Sequence, residues 1–144
     1  MRCTPLAFLV LIAATSPLQA QNVRRHECAE IVEQYSLTMC FRRVATGVDA
    51  RLDTLLAQLR IVLPSPAFDS LQVVQEQWRN YSRAHCVWEP SFYDGGTIAP
   101  MIEWGCISNL TAERIGQLKH FLCEGHGMTG PCRESRRYDA LPRP

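Results

Sequence analysis

The longest periodic pattern of apolar residues follows Ser36. Apolar side chains recur every three or four positions from there to Val62, which is the spacing of one face of an α-helix. Ser36 is a residue type suited to the N-cap, and the pair Pro64 and Pro66 ends the helix because proline lacks a backbone donor. The stripe is long enough to form the main wall of a helical bundle. Its members are Leu37, Phe41, Val44, Val48, Leu52, Leu55, Leu59 and Val62.

A second amphipathic segment predicts a helix that begins after this proline pair and ends before Pro90. The short connection makes the two helices an antiparallel hairpin. Because aromatic residues on an apolar face are more often buried than exposed, we expect Trp78 and Tyr81 in the core. The apolar face consists of Phe68, Leu71, Val74, Trp78, Tyr81 and His85.

The residues that follow, from Glu89 to Gly96, favour turns with positive backbone angles. Thr97 is then the predicted N-cap of another helix, with Pro100 tolerated in its first turn. The pattern does not decide whether Leu110-Thr111 interrupts that helix. The predicted inward positions are Met101 or Ile102, Cys106, Leu110, Leu118 and Leu122.

The two ends of the chain differ from this helical pattern. Residues 1–20 combine a single charge, an apolar run and small residues before Ala20, which predicts a cleaved signal peptide. The run is shorter than the roughly 20 residues of a membrane span. Asn22 is the predicted cap of a short helix, and residues 124–144 are expected to form a loop and a disordered tail. We predict an all-α, disulfide-stapled bundle of three longer helices plus a short N-terminal helix, with the domain at 21–123.

Removal of the signal peptide leaves six cysteines, an even number that indicates disulfides in an exported chain. Six cysteines permit many pairings. We predict pairing between neighbours in the chain, and the middle pair would close a loop of about 20 residues and contribute about 3 kcal/mol. The predicted disulfide cysteines are Cys28, Cys40, Cys86, Cys106, Cys123 and Cys132.

Charge and motifs exclude several classes of function. Without Arg2 the chain has 14 basic and 14 acidic residues, so no nucleic-acid partner is indicated. No CxxC, CxxCH, GxSxG or HExxH motif is present, and we expect neither enzymatic activity nor a cofactor. A zinc site is the less favoured alternative to a small disulfide loop, because the spacing of its ligands is irregular. Those ligands would be His120, Cys123, His126 and Cys132.

The loop between the middle two cysteines is the part of the chain with candidate binding chemistry. It contains Glu89, Asp94 and Glu103 and no arginine or lysine. Aromatic residues surround its glycines, which suits either packing over the bundle end or a protein-binding rim. These aromatic residues are Trp88, Phe92, Tyr93 and Trp104.

The order of several short motifs resembles the lysozyme inhibitor LprI-like proteins of bacterial envelopes. The resemblance covers Cys28 to Leu122, and it implies a helical, exported protein that inhibits lysozyme. Departures from the family pattern are Phe41, where a small residue is common, and the added Cys123 and Cys132. The resemblance rests on the helix opening at Ser36 to Cys40, on Asp49 and Leu52, and on Gln75, Trp78, Tyr81, Cys86, Gly95, Gly96, Cys106, Leu110, Thr111 and Arg114.

These observations predict a periplasmic or secreted protein-binding domain, and they leave open what it binds. One hypothesis is inhibition of a lysozyme or another cell-wall hydrolase by a disulfide-held loop that docks on the enzyme. The alternative is a periplasmic interaction or immunity protein for one cognate toxin, and a small metal-binding protein is less favoured. The candidate partner-binding residues are Glu89, Tyr93, Asp94, Gly95, Gly96 and Glu103.

Overall fold

The computed structural model describes residues 27–142, which contain helices and no strand. This confirms the all-α prediction. Helices α1, α2 and α3 form the bundle, and α4 is a single turn near the end of the chain. Short 3-10 segments follow α2 and α3. The elements are α1 (Gln34–Val62), α2 (Ser65–Trp88), a 3-10 segment (Glu89–Tyr93), α3 (Ala99–Leu118), two further 3-10 segments (Lys119–Leu122 and Glu124–Gly127) and α4 (Arg133–Arg136).

Helix α1 begins at Gln34, and its N-cap is Glu33 rather than Ser36. The Glu33 carboxylate accepts hydrogen bonds from the backbone N–H groups of Tyr35 and Ser36, at 2.8 and 2.6 Å. Hydrogen bonds from the Ser36 side chain and from these backbone groups lower the pKa of Glu33 below its ordinary value. The predicted cap at Ser36 is wrong because the carboxylate of Glu33 already satisfies the free N–H groups of the first turn.

The predicted stripe on α1 forms most of the hydrophobic core. Leu52, Leu55 and Leu59 are fully buried, whereas Val62 at the end of the helix is exposed. The stripe packs mainly against α3. Helix α3 runs parallel to α1, because α2 lies between them in the sequence and reverses the direction of the chain. The buried core includes Cys28, Cys40, Val44, Val48, Leu52, Leu55, Leu59, Ile115, Leu118 and Tyr138.

Helix α2 presents only part of its predicted apolar face to the bundle: Phe68, Leu71 and Trp78 pack against the core. Gln75, Ser82 and Cys86 are buried, while Val74 is exposed and Tyr81 is 56% exposed. The prediction that Tyr81 lies in the core is therefore wrong. A hydrogen bond from α3 to Gln75 and the disulfide at Cys86 fix the rotation of the helix.

Helix α3 has Ile98 as its N-cap, so the predicted cap at Thr97 is wrong, although Pro100 does lie in the first turn. The helix continues without a break through Leu110-Thr111, and Thr111 is fully buried. This region is part of the helix interior.

The N-terminal predictions lie mostly outside the described residues. The signal peptide and Asn22 fall in residues 1–26, which the structure does not describe. Glu27 to Glu30 form a turn, and the backbone N–H of Ile31 donates to the carbonyl of Cys28 at 3.2 Å. None of the helices within residues 27–142 is long and apolar enough to cross a membrane.

The segment from 124 to 142 is packed against the bundle, so the prediction of a disordered tail is wrong for these residues. Tyr138 is buried in the core, and its hydroxyl donates to the Gln58 amide oxygen at 3.0 Å. Arg51 donates to the carbonyl of Ala140 at 2.9 Å. The buried Tyr138 ring, these two hydrogen bonds and the Cys123–Cys132 disulfide hold the segment against the bundle.

Within residues 27–142, three disulfides join neighbouring cysteines, as predicted. Their Cα atoms lie 5.5 to 5.9 Å apart, within the usual range for the bond. The first bond ties the N-terminal turn to α1, the second ties α2 to α3, and the third closes the C-terminal loop. The pairs are Cys28–Cys40, Cys86–Cys106 and Cys123–Cys132.

Candidate protein-binding site

The loop between α2 and α3 is closed at its base by the Cys86–Cys106 disulfide. Cys86 lies in the last turn of α2, Cys106 lies in the second turn of α3, and both are buried. The bond spans 20 positions of sequence. Both ends of the loop are therefore fixed to each other within the bundle.

The first half of the loop is a 3-10 turn, Glu89–Tyr93. Pro90 is buried and restricts the backbone at the start of this turn. The Ser91 hydroxyl donates to the carbonyl of Trp88 at 2.6 Å, and the Asp94 N–H donates to the carbonyl of Ser91 at 3.3 Å. These local bonds continue the helical path of α2 beyond its end.

The chain reverses at Asp94 and Gly95, which have φ angles of 45° and 71° in the left-handed region. Glycine and aspartate tolerate this conformation better than most residues. The N–H of Gly96 donates to the carbonyl of Tyr93 at 2.9 Å. A Cβ on Gly96 would lie 3.0 Å from that same carbonyl oxygen, so only glycine fits there without a backbone shift.

The acidic residues of the loop are accessible to different degrees. Asp94 is exposed at the turn, whereas Glu89 and Glu103 are half-buried. Within residues 27–142, no lysine or arginine forms a salt bridge with any of the three. Tyr93 is 45% exposed beside Asp94. The predicted residues Glu89, Tyr93, Asp94, Gly95 and Gly96 thus form one continuous loop, and Glu103 follows in α3.

A row of aromatic rings leads from α2 into this loop. Tyr81 and His85 are stacked with ring centroids 5.6 Å apart, His85 and Trp88 are also 5.6 Å apart, and Trp88 meets Phe92 edge-on at 5.1 Å. We call these four residues the aromatic ladder. The sequence prediction placed Tyr81 and His85 on the core face and missed the ladder. Their spacing of four, three and four positions is the signal that links them.

The loop does not provide a set of metal ligands. His85, Glu89 and Cys106 lie close enough for their ligand atoms to approach within 4.8 Å of one another. The sulfur of Cys106 is bonded to Cys86, however, so it cannot serve as a thiolate ligand.

The alternative zinc site near the C-terminus also loses two of its four ligands, because Cys123 and Cys132 are joined in a disulfide. The two histidines that remain, His120 and His126, do not make up a structural zinc site.

Several residues of the sequence motif meet behind the loop, between α2 and α3. Arg114 donates a hydrogen bond from Nε to Gln75 Oε1 at 3.0 Å, and its guanidinium lies 5.8 Å from the centre of the Trp78 ring. Burial lowers the pKa of Arg114 below its ordinary value, but an arginine stays charged at physiological pH. These three residues position α2 on α3 and do not form part of the exposed loop.

Comparison with known proteins assigns the sequence of these helices and this loop to a family. The family described as "Lysozyme inhibitor LprI" matches residues 26–118. The chain belongs to this family. The matched region contains α1, α2, the loop and α3 of this LprI-family protein, and it ends where the third helix ends. The resemblance seen in the motifs is confirmed.

One relative has been found across nearly the whole LprI-family chain. It is a protein of Rhizobium meliloti (strain 1021) described as uncharacterized, 24% identical over 135 residues. The match covers 85% of this chain and 96% of the relative. It therefore extends beyond the three-helix region into one or both terminal segments. No solved structure matches the chain.

Proposed function

We propose that this LprI-family protein is an exported, non-enzymatic inhibitor that docks its disulfide-held loop on a muramidase. The observation that carries the proposal is the loop itself, which combines a fixed base, an exposed acidic tip and aromatic neighbours. The proposed contact residues are Glu89, Tyr93, Asp94, Gly95, Gly96 and Glu103.

The rigidity of the loop supports a binding function. A mobile loop loses conformational entropy when it is bound, and a loop held by a disulfide, a buried proline and local hydrogen bonds loses much less. Tyr93 adds a large side chain with few rotatable bonds, which is a common type of interface residue. The loop is thus suited to entering a concave surface such as the cleft of an enzyme.

The charge of the loop supports a basic partner. From residue 84 to residue 113 the chain has no lysine or arginine, so the exposed Asp94 and the half-buried Glu89 and Glu103 have no neighbouring lysine or arginine in sequence. Acidic groups on one partner and basic groups on the other accelerate association and select the orientation of the complex. The whole chain is close to neutral, so this attraction is local to the loop.

Export is the remaining part of the proposal. Three disulfides within residues 27–142 are typical of a protein that folds in an oxidising compartment such as the bacterial periplasm. The apolar N-terminal segment provides the signal for that route. N-terminal sequencing of the secreted or periplasmic protein would give Gln21 as its first residue, and an intact Met1 would contradict the proposal.

Inhibition of cell-wall hydrolysis tests the proposed function. The purified protein is added in excess to several muramidases acting on cell walls, and we expect at least one to be inhibited in proportion to the inhibitor concentration. If every muramidase keeps full activity, the proposal loses its basis. Capture of a toxin without muramidase activity from a periplasmic extract would support the immunity-protein alternative instead.

The variant Asp94→Asn tests the role of the loop. Asparagine keeps the left-handed conformation of this position but removes the charge, so the fold should be unchanged. We expect affinity for the inhibited enzyme to fall roughly fivefold at low salt, with a smaller difference at high salt. Asp69→Asn is the matched control, because Asp69 is exposed in the first turns of α2, at the opposite end of that helix. Equal effects of the two variants would exclude a specific role for Asp94.

A further inference from the structure

The aromatic ladder is unusually exposed for its size. Tyr81 and Trp88 are each 56% exposed and Phe92 is 71% exposed, although aromatic side chains are generally among the more buried residues. The ladder covers the last two turns of α2 and the 3-10 turn of the loop. An exposed apolar surface of this kind indicates an interaction site.

The ladder is held in place before any partner arrives. Each ring contacts the next along the row, from Tyr81 through His85 and Trp88 to Phe92. The backbone beneath is anchored by Cys86, which is disulfide-bonded and lies between the second and third rings in sequence. Binding to such a surface requires little ordering of side chains, and this favours affinity.

The ladder is continuous with the proposed inhibitory loop. Phe92 belongs to the 3-10 turn of the loop and directly precedes Tyr93. A protein that encloses the tip of the loop would therefore extend onto the ladder if it approached along α2. The two surfaces adjoin at Phe92 and Tyr93.

The charges around the ladder favour cations. Glu89 and Asp94 lie at the loop end of the ladder, and the sequence from residue 84 to residue 113 contains no arginine or lysine. Arg79 and Arg83 line a cavity toward α1. Each is two positions from Tyr81 along the helix, and residues at this spacing lie on different sides of a helix. Arg42 approaches a different ring, Trp104, at 5.5 Å.

From this combination we infer that the ladder is the second half of the partner-binding surface and takes up arginine or lysine side chains of a basic enzyme. The electron-rich faces of Trp and Tyr attract cationic groups, and the adjacent carboxylates add to this attraction. The inference rests on the proposed function, because the partner is the same muramidase. It adds residues of α2 to the site and specifies the chemistry of the opposing surface.

Binding and inhibition are measured separately with a muramidase of high isoelectric point. We compare the wild type with Tyr81→Ala and Trp88→Ala, and with the conservative variant Trp88→Phe. Phe121→Ala is the matched control, because Phe121 is 42% exposed beyond the far end of α3. Circular dichroism and thermal unfolding verify that each variant is folded.

We expect both ladder truncations to lower affinity roughly tenfold or more, as interface aromatics commonly do. Trp88→Phe and Phe121→Ala should remain within about twofold of the wild type. A second probe is the same muramidase with its lysine and arginine charges removed chemically and its fold verified. The wild type should bind this neutralised enzyme roughly tenfold or more weakly than the native one.

Three results would overturn the inference while leaving the proposed function intact. In the first, the ladder truncations bind and inhibit like the wild type. In the second, Trp88→Ala loses as much affinity for the neutralised enzyme as for the native one, so the ladder contact is apolar. In the third, enzyme-free peptidoglycan retains the wild type but not the truncations, so the ladder binds glycan. If the wild type inhibits no muramidase at all, the proposed function and the ladder inference both fail.

Discussion

Arg114 and Gln75 join α3 to α2 through a 3.0 Å hydrogen bond between the guanidinium Nε and the amide oxygen. The two residues are 39 positions apart in the sequence. Gln75 is almost fully buried, and Arg114 also donates to Gln117 at 3.1 Å. This polar contact adds to the apolar packing of Phe68, Leu71 and Trp78 against the core, and it helps to determine how α2 is rotated.

Loss of the Gln75 side chain should destabilise the protein. Gln75→Ala removes the acceptor of Arg114 Nε, and a donor that loses its partner in a buried position costs about 1–3 kcal/mol. The substitution also removes the buried Gln75 Nε2, which has no acceptor among residues 27–142. We therefore expect the free energy of unfolding, measured in urea, to fall by about 1–2 kcal/mol, which is the lower part of that range. The exposed residue Gln77 on the same helix provides the control, and Gln77→Ala should change stability by less than about 0.5 kcal/mol.

Two glycine substitutions should change stability in opposite directions. In Gly96→Ala the new Cβ meets a backbone oxygen at 3.0 Å, so the loop must shift and the melting temperature should fall. Gly47 lies within α1, where a Cβ would have no atom within 4 Å. Gly47→Ala should therefore stabilise the protein by about 0.5–1 kcal/mol. A rise in melting temperature for both variants would show that the loop adapts to a side chain at position 96.

Removal of the Cys86–Cys106 disulfide should affect both stability and inhibition. The chain-entropy model gives about 3 kcal/mol for a loop of this length. The double variant Cys86→Ser/Cys106→Ser should unfold at lower urea concentration and lose most of its affinity for the partner, because the loop base is released.

The Cys123–Cys132 bond is the matched control for this experiment. It closes a shorter loop, which spans 9 positions and lies outside the α2–α3 loop. Its removal should cost somewhat less stability and leave the affinity nearly unchanged. Equal losses of affinity in the two double variants would show that general stability, and not the position of the loop, controls binding.

Alkaline pH should weaken the attachment of the C-terminal segment through Tyr138. Burial raises the pKa of Tyr138 above its ordinary value, and the nearby charges of Arg137 and Arg51 partly oppose this shift. The folded state thus keeps the phenol protonated when the unfolded state begins to lose its proton. The stabilising contribution is complete below about pH 10, the unfolded pKa, and is lost as pH rises through the folded pKa.

Unfolding free energies at about pH 8 and about pH 11 test this expectation. Tyr138→Phe cannot ionise, so its stability should depend less on pH over this interval. At pH 8 the variant should be about 1 kcal/mol less stable, because it loses the hydrogen bond to Gln58. A wild type and variant with parallel pH profiles would exclude ionisation of Tyr138 as the cause.

The features that could be predicted from the sequence are those that depend on short-range spacing. The α1 stripe, the stop at Pro64 and the pairing of neighbouring cysteines follow from periodicity, backbone chemistry and chain distance. The glycine loop also follows from local composition. Its role as a contact surface remains a prediction, since it depends on a partner.

The features that could not be predicted depend on contacts between distant parts of the chain. The rotation of α2 depends on Gln75 and Arg114, so ranking residues by hydrophobicity placed Tyr81 inside. The order of the C-terminal segment depends on Tyr138 and Gln58, 80 positions apart. At the start of α1, residue type placed the N-cap at Ser36. The cap is Glu33, because its carboxylate reaches the free N–H groups of the first turn.

The pairing of neighbouring cysteines has a consequence for oxidative folding. The three bonds span 12, 20 and 9 positions, and no bonded segment overlaps another. In the proposed export, each bond would form as soon as its own segment emerged, in N-to-C order, without waiting for a later cysteine. Sequential oxidation of an emerging chain favours this same connectivity, so folding during export should need little disulfide isomerisation.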